Sequence, residues 1–320
     1  MLVRRVVGHV KAVDDVSFAI SRGETLGLVG ESGCGKTTIG RSIVHLVRPT
    51  AGTVTFDGIE LTGLGRRRFR RLYRRIQMIY QDSQAAMNPR MSVGDIIAEP
   101  LEIHGIGSRR SRRQQVRELL ATVRLGARAA DVHPHELSGG QRQRVGIARA
   151  LALKPDLIVC DEPVSALDVS IQAQIINLLK DLQANLGLTY LFIAHDLAVV
   201  HHIADRILVV FLGKVMEVAP SEALAQRPLH PYTRVLLSAI PVPDPTLEAK
   251  APAGTRRLLG GDLPSAADPP CGCRFSGRCP TAERVMDEHG IDCADVDPEL
   301  REIEPDHWVA CHIHAECRPR

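Results

Sequence analysis

The feature that most restricts the fold of this chain is a pair of neighbouring segments, LSGGQRQR at residues 137–144 and the apolar run LIVCDEP at residues 157–163. The unbroken apolar run reads as a strand buried on both faces, the pattern of a parallel sheet covered by helices. It ends in two adjacent carboxylates, Asp161 and Glu162. That end of the strand is where such sheets gather their ligands.

A second motif defines what the carboxylates act on. GESGCGKTT at residues 30–38 fits the phosphate-loop pattern G-x-x-x-x-G-K-[ST], follows the apolar TLGLVG and opens a helix, as the motif requires. Gly30, Gly33 and Gly35 let backbone N–H groups approach phosphates, Cys34 is small enough to be tolerated among them, and the helix N-terminus adds partial positive charge. Lys36 is expected to reach the β and γ phosphates of ATP and Thr37, followed by Thr38, to ligate Mg²⁺. A helix N-terminus also lowers thiol pKa, so Cys34 is expected to be reactive and its alkylation to block ATP binding.

Asp161 is placed to hold Mg²⁺, directly or through water, and Glu162 to polarise the attacking water. His195, which follows the apolar LFIA, reads as a contact to the γ phosphate. Gln81, closing the strand-like IQMIYQD, can reach metal or water and begins a stretch in which strand signals fade.

Residues 13–20, VDDVSFAI, and TLGLVG read as two strands joined by a turn at residues 21–24, with a helix after the glycine loop. Between residues 82 and 154 helical patterns such as VGDIIAEPLEIHG dominate. LIVCDE, a helix at residues 170–186 with Ile171, Ile175, Leu178, Leu179 and Leu182 on one face, LTYLFIA and ADRILVVFLGKVMEV then restore the alternation of strand and helix. The fold class is therefore α/β with a mostly parallel sheet, an antiparallel β part and a helical subdomain at about 82–154. Prolines crowd in after residue 226, which places a boundary between a domain at 1–226 and another at 227–320.

Forty Lys and Arg against 37 Asp and Glu leave a formal charge of only +3, which excludes bulk nucleic-acid binding. GRRRFRRLYRR at residues 65–75 reads as a short helix with a solvated basic face, contact with anionic lipid or an acidic partner being the alternative. No apolar run approaches the ~20 residues of a membrane span, and MLVRRVVGHV lacks a signal-peptide core. A cytoplasmic setting keeps thiols reduced, so six of the eight cysteines lying beyond residue 270 suggest a metal or iron–sulfur site rather than disulfides.

From residue 13 to 217 these motifs together resemble the ATP-binding-cassette ATPases. The resemblance implies a second cassette: Ser138, Gly139, Gly140 and Gln141 close over ATP held by the partner's glycine loop, and SALD, residues 165–168 ending in Asp168, passes across that interface. The hydrolytic positions are intact, so a competent site is expected. Members usually begin with another strand and an aromatic residue that stacks on adenine, and nothing aromatic precedes Phe18. Either His9 substitutes or the chain starts late, and the second is the expectation.

Three separated segments narrow the branch: YQDSQAAMNPRMSVGDIIAEPL at 80–101, HPYTRVLLSAIP at 230–241 and GCRFSGRCP…C…DPEL…HWVACH at 272–312. They resemble the ATPases of oligopeptide and dipeptide importers, whose near relatives import nickel. The resemblance implies a Cys-rich C-terminal domain in which Cys273, Cys279, Cys293 and Cys311 hold a [4Fe–4S] cluster or Zn²⁺, with Cys271 and Cys317 as spare thiols. It implies a peripheral ATPase on the cytoplasmic face of the plasma membrane, powering peptide uptake. Its partners would be a second, paralogous ATPase, two permease subunits and an extracytoplasmic binding protein, with no nucleic acid. A nickel or other solute importer is the alternative, and a soluble ATPase of DNA repair or translation a distant one.

Overall fold

The computed structural model describes residues 8–83, 85–239 and 265–314. In chain order its elements begin with β1 (Thr25–Val29), α1 (Lys36–Ile43), β2 (Thr55–Phe56), β3 (Ile59–Glu60), α2 (Arg66–Leu72) and β4 (Ile76–Ile79). Three helices follow, α3 (Val93–Ile103), α4 (Arg109–Thr122) and α5 (Gly139–Leu151), then β5 (Leu157–Asp161), α6 (Val169–Leu186), β6 (Thr189–Ala194) and α7 (Leu197–Ile203). The chain continues through β7 (Arg206–Phe211), β8 (Lys214–Pro220), α8 (Ser221–Gln226), α9 (Pro231–Ser238), α10 (Ala282–His289), β9 (Arg301–Glu304) and β10 (His307–Val309). Contacts divide it into two compact units, residues 1–19, 26–39 and 195–320 in one, and 20–25 and 40–194 in the other.

In the first unit β1 pairs in parallel with β7, from Leu26 opposite Arg206 to Val29 opposite Val209. β7 returns antiparallel as β8 through Leu212 and Gly213, both at positive φ (43° and 77°), the two-residue turn that suits the twist of a hairpin. β10 then pairs antiparallel with β8, and β9 with β10. The pairing is thus mixed: β1–β7 is parallel, and the antiparallel part expected beside the parallel strands is formed by β8, β10 and β9. A two-residue connection admits only antiparallel neighbours, whereas parallel ones need a crossover. Residues 13–20, expected as a strand, alternate between exposed and half-buried positions but form no ladder among the described residues. The Arg206 guanidinium instead donates to the Ala19 carbonyl.

The tail strands are fastened by a buried carboxylate. Glu217 on β8 is fully buried and accepts the backbone N–H groups of Leu229 (2.7 Å) and His230 (3.0 Å) and a 2.6 Å contact from His307 Nε2 on β10. Burial pushes this carboxyl up, but His307, Thr233 and the two N–H groups hold it below the usual range. His230 Nδ1 accepts the Tyr232 N–H, which puts the ring proton on Nε2, and burial lowers the imidazole pKa to about 4. A charged side chain so buried is tolerated only because it is paired and hydrogen-bonded.

In the second unit β4, β5 and β6 run parallel, Ile76 opposite Leu157 and Leu157 opposite Thr189. All residues of these strands are buried, as the apolar runs require. α6 buries Ile175, Ile176, Leu178, Leu179 and Leu182, each worth roughly 1.5–3 kcal/mol when fully removed from water, and ends on Gly187 in the left-handed region. The expected helical stretch contains α3, α4 and α5; Ser92 caps α3 by accepting the Asp95 N–H. A short hairpin of β2 and β3, turned by Asp57 and Gly58 at φ 52° and 76°, escaped the sequence reading because each strand has only two residues.

Candidate functional site

In the first unit the phosphate loop leaves the end of β1. Gly30 is dictated by packing: a Cβ there would lie 2.1 Å from the Val210 carbonyl oxygen on β7. Gly35, at φ 102°, would place one 2.0 Å from the Ala12 carbonyl oxygen. Lys36 is buried, and its ammonium donates to the carbonyls of Gly30 (2.7 Å) and Glu31 (2.8 Å), with Cys34 Sγ at 3.7 Å. Lys36 is the motif's one basic group, held inside the loop it serves.

Cys34 differs from expectation. It is 1% exposed, and burial outweighs the neighbouring Lys36 to raise its thiol pKa. Desolvation penalises the thiolate more than the helix end favours it. Thr37 and Thr38 are half-buried in the first turn of α1, and Gly33 lies at φ 81°. His195 is exposed, directly before Asp196, which caps α7 by accepting the Ala198 N–H at 2.8 Å. His9 is also exposed.

The second unit brings together the carboxylates and Gln81. Asp161 closes β5 and is 1% exposed. Glu162 sits in the left-handed region at φ 45°, its N–H donating to the Ile193 carbonyl at 2.9 Å. A non-glycine residue held there is strained, and such strain concentrates at functional sites. The turn swings the Glu162 carboxylate off the strand, where Gln81 Nε2 donates to it at 2.7 Å. Ser165 Oγ donates to the Glu162 carbonyl at 3.1 Å, tying the SALD segment to the same corner, and Asp168 stands at the N-cap of α6.

The signature segment forms a capping box. Ser138 Oγ accepts the Gln141 N–H and the Gln141 side chain accepts the Ser138 N–H at 2.9 Å. The helix therefore begins at Gly139 with its first N–H groups facing outwards from the cap. Gly140 has no room for a side chain, a Cβ there lying 2.6 Å from Ile171 Cγ2 on α6.

Also in the second unit, a largely apolar groove of about 450 Å³ is lined by α2, β4, α3 and α5 through Phe69, Met78, Ile103 and Ala150, with Tyr73 and Leu153 just beyond the helix ends. Arg149 and Glu99 pair at its wall (2.7 Å). Its rim carries His104, whose pKa is lowered by burial and by Arg74 and Arg70.

The cysteine set is not assembled as expected. Among the described residues no three His, Cys, Asp or Glu side chains gather closely enough to hold a metal ion, and the described cysteines are free. Cys317, one spare thiol, lies outside the described residues, as do Ile240 and Pro241 of the HPYTRVLLSAIP match. Cys273 and Cys293 are buried and joined through backbone, the Cys273 N–H donating to the Cys293 carbonyl at 2.8 Å, while Cys279 and Cys311 are half-buried and Cys271 is exposed. Tetrahedral zinc needs four sulfurs at about 2.3 Å from one point, a gathering that the described side chains do not show. The four are nonetheless electrostatic neighbours. Burial first, then Cys279 and Cys293, push the Cys273 and Cys311 thiols up to about 12.

Sequence reasoning assigned no role to Glu31, Tyr232 or Arg278, although all three lie within the quoted motifs. Their pairing joins positions hundreds of residues apart, and no local signal reports it.

Comparison with known proteins adds independent findings. Residues 13–165 match the ABC transporter family model and residues 216–285 the model for the oligopeptide/dipeptide transporter C-terminal region. A Brucella ovis protein named for peptide import ATP binding is 55% identical over 303 residues, 94% of this chain and 92% of the relative. The oligopeptide transport ATP-binding protein AppF of Bacillus subtilis is 51% identical over 98% of this chain and 93% of its own. OppF of Escherichia coli, of the same description, is 51% identical over 90% and 89%. Among solved structures, a dimeric ATP-binding cassette in a post-hydrolysis state with ADP and phosphate superposes with TM-score 0.60 at 33% identity, over 66% of this chain and 90% of that one.

Proposed function

We propose a working cycle for this site on the premise that the chain belongs to the ABC transporter ATP-binding proteins of oligopeptide and dipeptide import and is the ATPase subunit of such an importer. Peptide import, rather than nickel uptake or a soluble repair or translation role, is what the relatives' names carry.

In this reading Gly30, Gly33, Cys34, Gly35, Lys36, Thr37 and Thr38 receive the phosphates, Lys36 leaving its carbonyl partners for the β and γ oxygens. Thr37, Gln81 and Asp161 are the residue types that hold Mg²⁺, which supplies charge neutralisation on those oxygens. Glu162 accepts a proton from the attacking water, Gln81 orients that carboxylate and His195 contacts the γ phosphate. The observation that carries this division is the Gln81–Glu162 hydrogen bond of 2.7 Å on a strained Glu162 backbone. It prepares one carboxylate at the strand end for water while the buried Asp161 is left to the metal.

The capped helix starting at Gly139 supports the trans role of Ser138, Gly139, Gly140 and Gln141. A row of N–H groups at a helix start fits the γ phosphate bound to a second ATPase, and Asp168 belongs to the same interface. The branch's use of two different ATPases supports a paralogous partner. The groove beside α3 has the size and apolar lining to seat a short helix from a permease subunit. That seat, with no described helix long and apolar enough to cross a membrane, supports a peripheral position on the cytoplasmic face, with a binding protein supplying peptide from outside. A cluster or zinc on Cys273, Cys279, Cys293 and Cys311 is part of the same proposal. Its support is the mutual electrostatic neighbourhood of those thiols, and no step of the cycle runs through it.

Glu162→Gln tests the assignment. Turnover falls by about 10²–10⁴-fold while ATP binding persists and an ATP-dependent dimer accumulates. Phosphate release within a few-fold of the parent would overturn Glu162 as the base.

A further inference from the structure

We propose that Arg278 and Tyr232, both beyond the nucleotide motifs, are positioning residues for the phosphate loop, acting through Glu31. The proposal rests on the reading that this loop holds ATP.

Glu31 is the second residue of the loop, and each of its polar groups is engaged. Its N–H donates to Tyr232 Oη at 2.9 Å, its carbonyl accepts from Lys36 Nζ at 2.8 Å, and its carboxylate takes both terminal nitrogens of Arg278 at 2.9 and 3.2 Å. The ion pair is shielded, the side chains being 8% and 17% exposed. A bidentate guanidinium–carboxylate pair out of water is both strong and directional. The peptide plane before Glu31 and the Glu31 side chain are thus held from outside the loop, while the plane after it is held by Lys36 within it.

The anchors are themselves held rigidly. Phe275 is 1% exposed and packs edge-on against Phe211 at 5.4 Å and beside Tyr232 at 5.3 Å. Tyr232 meets Phe211 at 4.8 Å, and the Arg278 guanidinium lies 5.8 Å from the Phe211 ring centre. Phe211 ends β7, the strand paired with β1, so β1, its loop and both anchors share one frame. The Arg278 N–H donates to the Phe275 carbonyl at 3.0 Å, fixing the short turn that carries the guanidinium.

Loop affinity depends on N–H groups that already point at the phosphates. A loop released from its anchors spends part of its time in other orientations, and apparent affinity falls by the competent fraction. Chemistry downstream of binding stays the same. The signature is therefore a rise in KM with kcat preserved.

The test uses the full chain, with a fluorescent ATP analogue for affinity, steady-state hydrolysis and thermal melting in parallel. Arg278→Ala raises the dissociation constant and KM by about 5- to 20-fold and leaves kcat within about twofold; Arg278→Lys recovers part of the loss, having a single nitrogen in place of a planar fork. Tyr232→Phe gives a smaller rise of the same kind. Glu31→Gln combined with Arg278→Met costs no more than the worse single variant, because the two side chains act as one unit. Lys36→Ala serves as the control: an affinity unchanged by it would sink the nucleotide reading itself. An affinity lost with Lys36→Ala but unchanged by Arg278→Ala would overturn only the positioning role. A lowered melting temperature with KM unmoved, or additive losses in the double variant, would likewise reject positioning in favour of mere packing.

Discussion

The phosphate loop and the cysteine tail are both motif-bearing regions of the same compact unit, yet they differ in how far the motif predicts the arrangement. The loop is nine consecutive residues whose backbone is the binding surface, so spelling it out in order nearly builds it. The tail's four thiols are spread over residues 273–311 and meet only if several separate turns pack in one way. Its cysteines come out unequal, two buried and two half-buried, without a closed ligand set among the described residues. Contiguous backbone motifs carry their geometry with them, and dispersed side-chain sets do not.

The largest effect that would sharpen this contrast is on the loop. Gly30→Ala drives a methyl group to 2.1 Å from the Val210 carbonyl, a backbone atom that cannot swing aside, so the variant is expected to lose more than about 3 kcal/mol of stability. Denaturant melting checks this, and a near-normal midpoint would mean that the loop is less bound to its strand than the contact requires.

A smaller effect belongs to the fastening of the tail. His230 is held neutral, its pKa lowered from 6.5 to about 4, so unfolded chains gain a proton there that native ones refuse. The folded pKa is depressed, so this contribution is fully present above pH 6.5 and is lost as pH falls towards about 4, roughly 3 kcal/mol in all. Melting the parent and a His230→Gln variant between those limits should show the parent alone carrying that slope.

The smallest effect on activity is expected at the cysteines. On the proposed cluster, chain purified without oxygen carries iron with acid-labile sulfide, and Cys311→Ser removes both while ATP turnover stays within about twofold, since no step of the proposed cycle runs through it. Zinc without sulfide would turn the tail into a zinc site. Absence of either metal would leave only buried thiols and widen the contrast with the loop.

The sequence by itself determined the backbone of the glycine loop GESGCGKTT, the strand that closes at Asp161, the capped start of the signature helix and most helices, because these follow from short-range pattern and backbone chemistry. It misjudged Cys34, whose burial depends on distant strands, and read residues 13–20 as a strand when a ladder needs a partner as well as a pattern. The antiparallel return of β8, the addition of β10 beside it and the Glu217–His307 fastening were decided by tertiary structure. So was the hold of Arg278 and Tyr232 on Glu31, which spans more than 200 positions. Local sequence specifies dihedral angles and polarity one turn at a time, whereas burial, strand partners and long-range charge pairs exist only once the whole chain has packed.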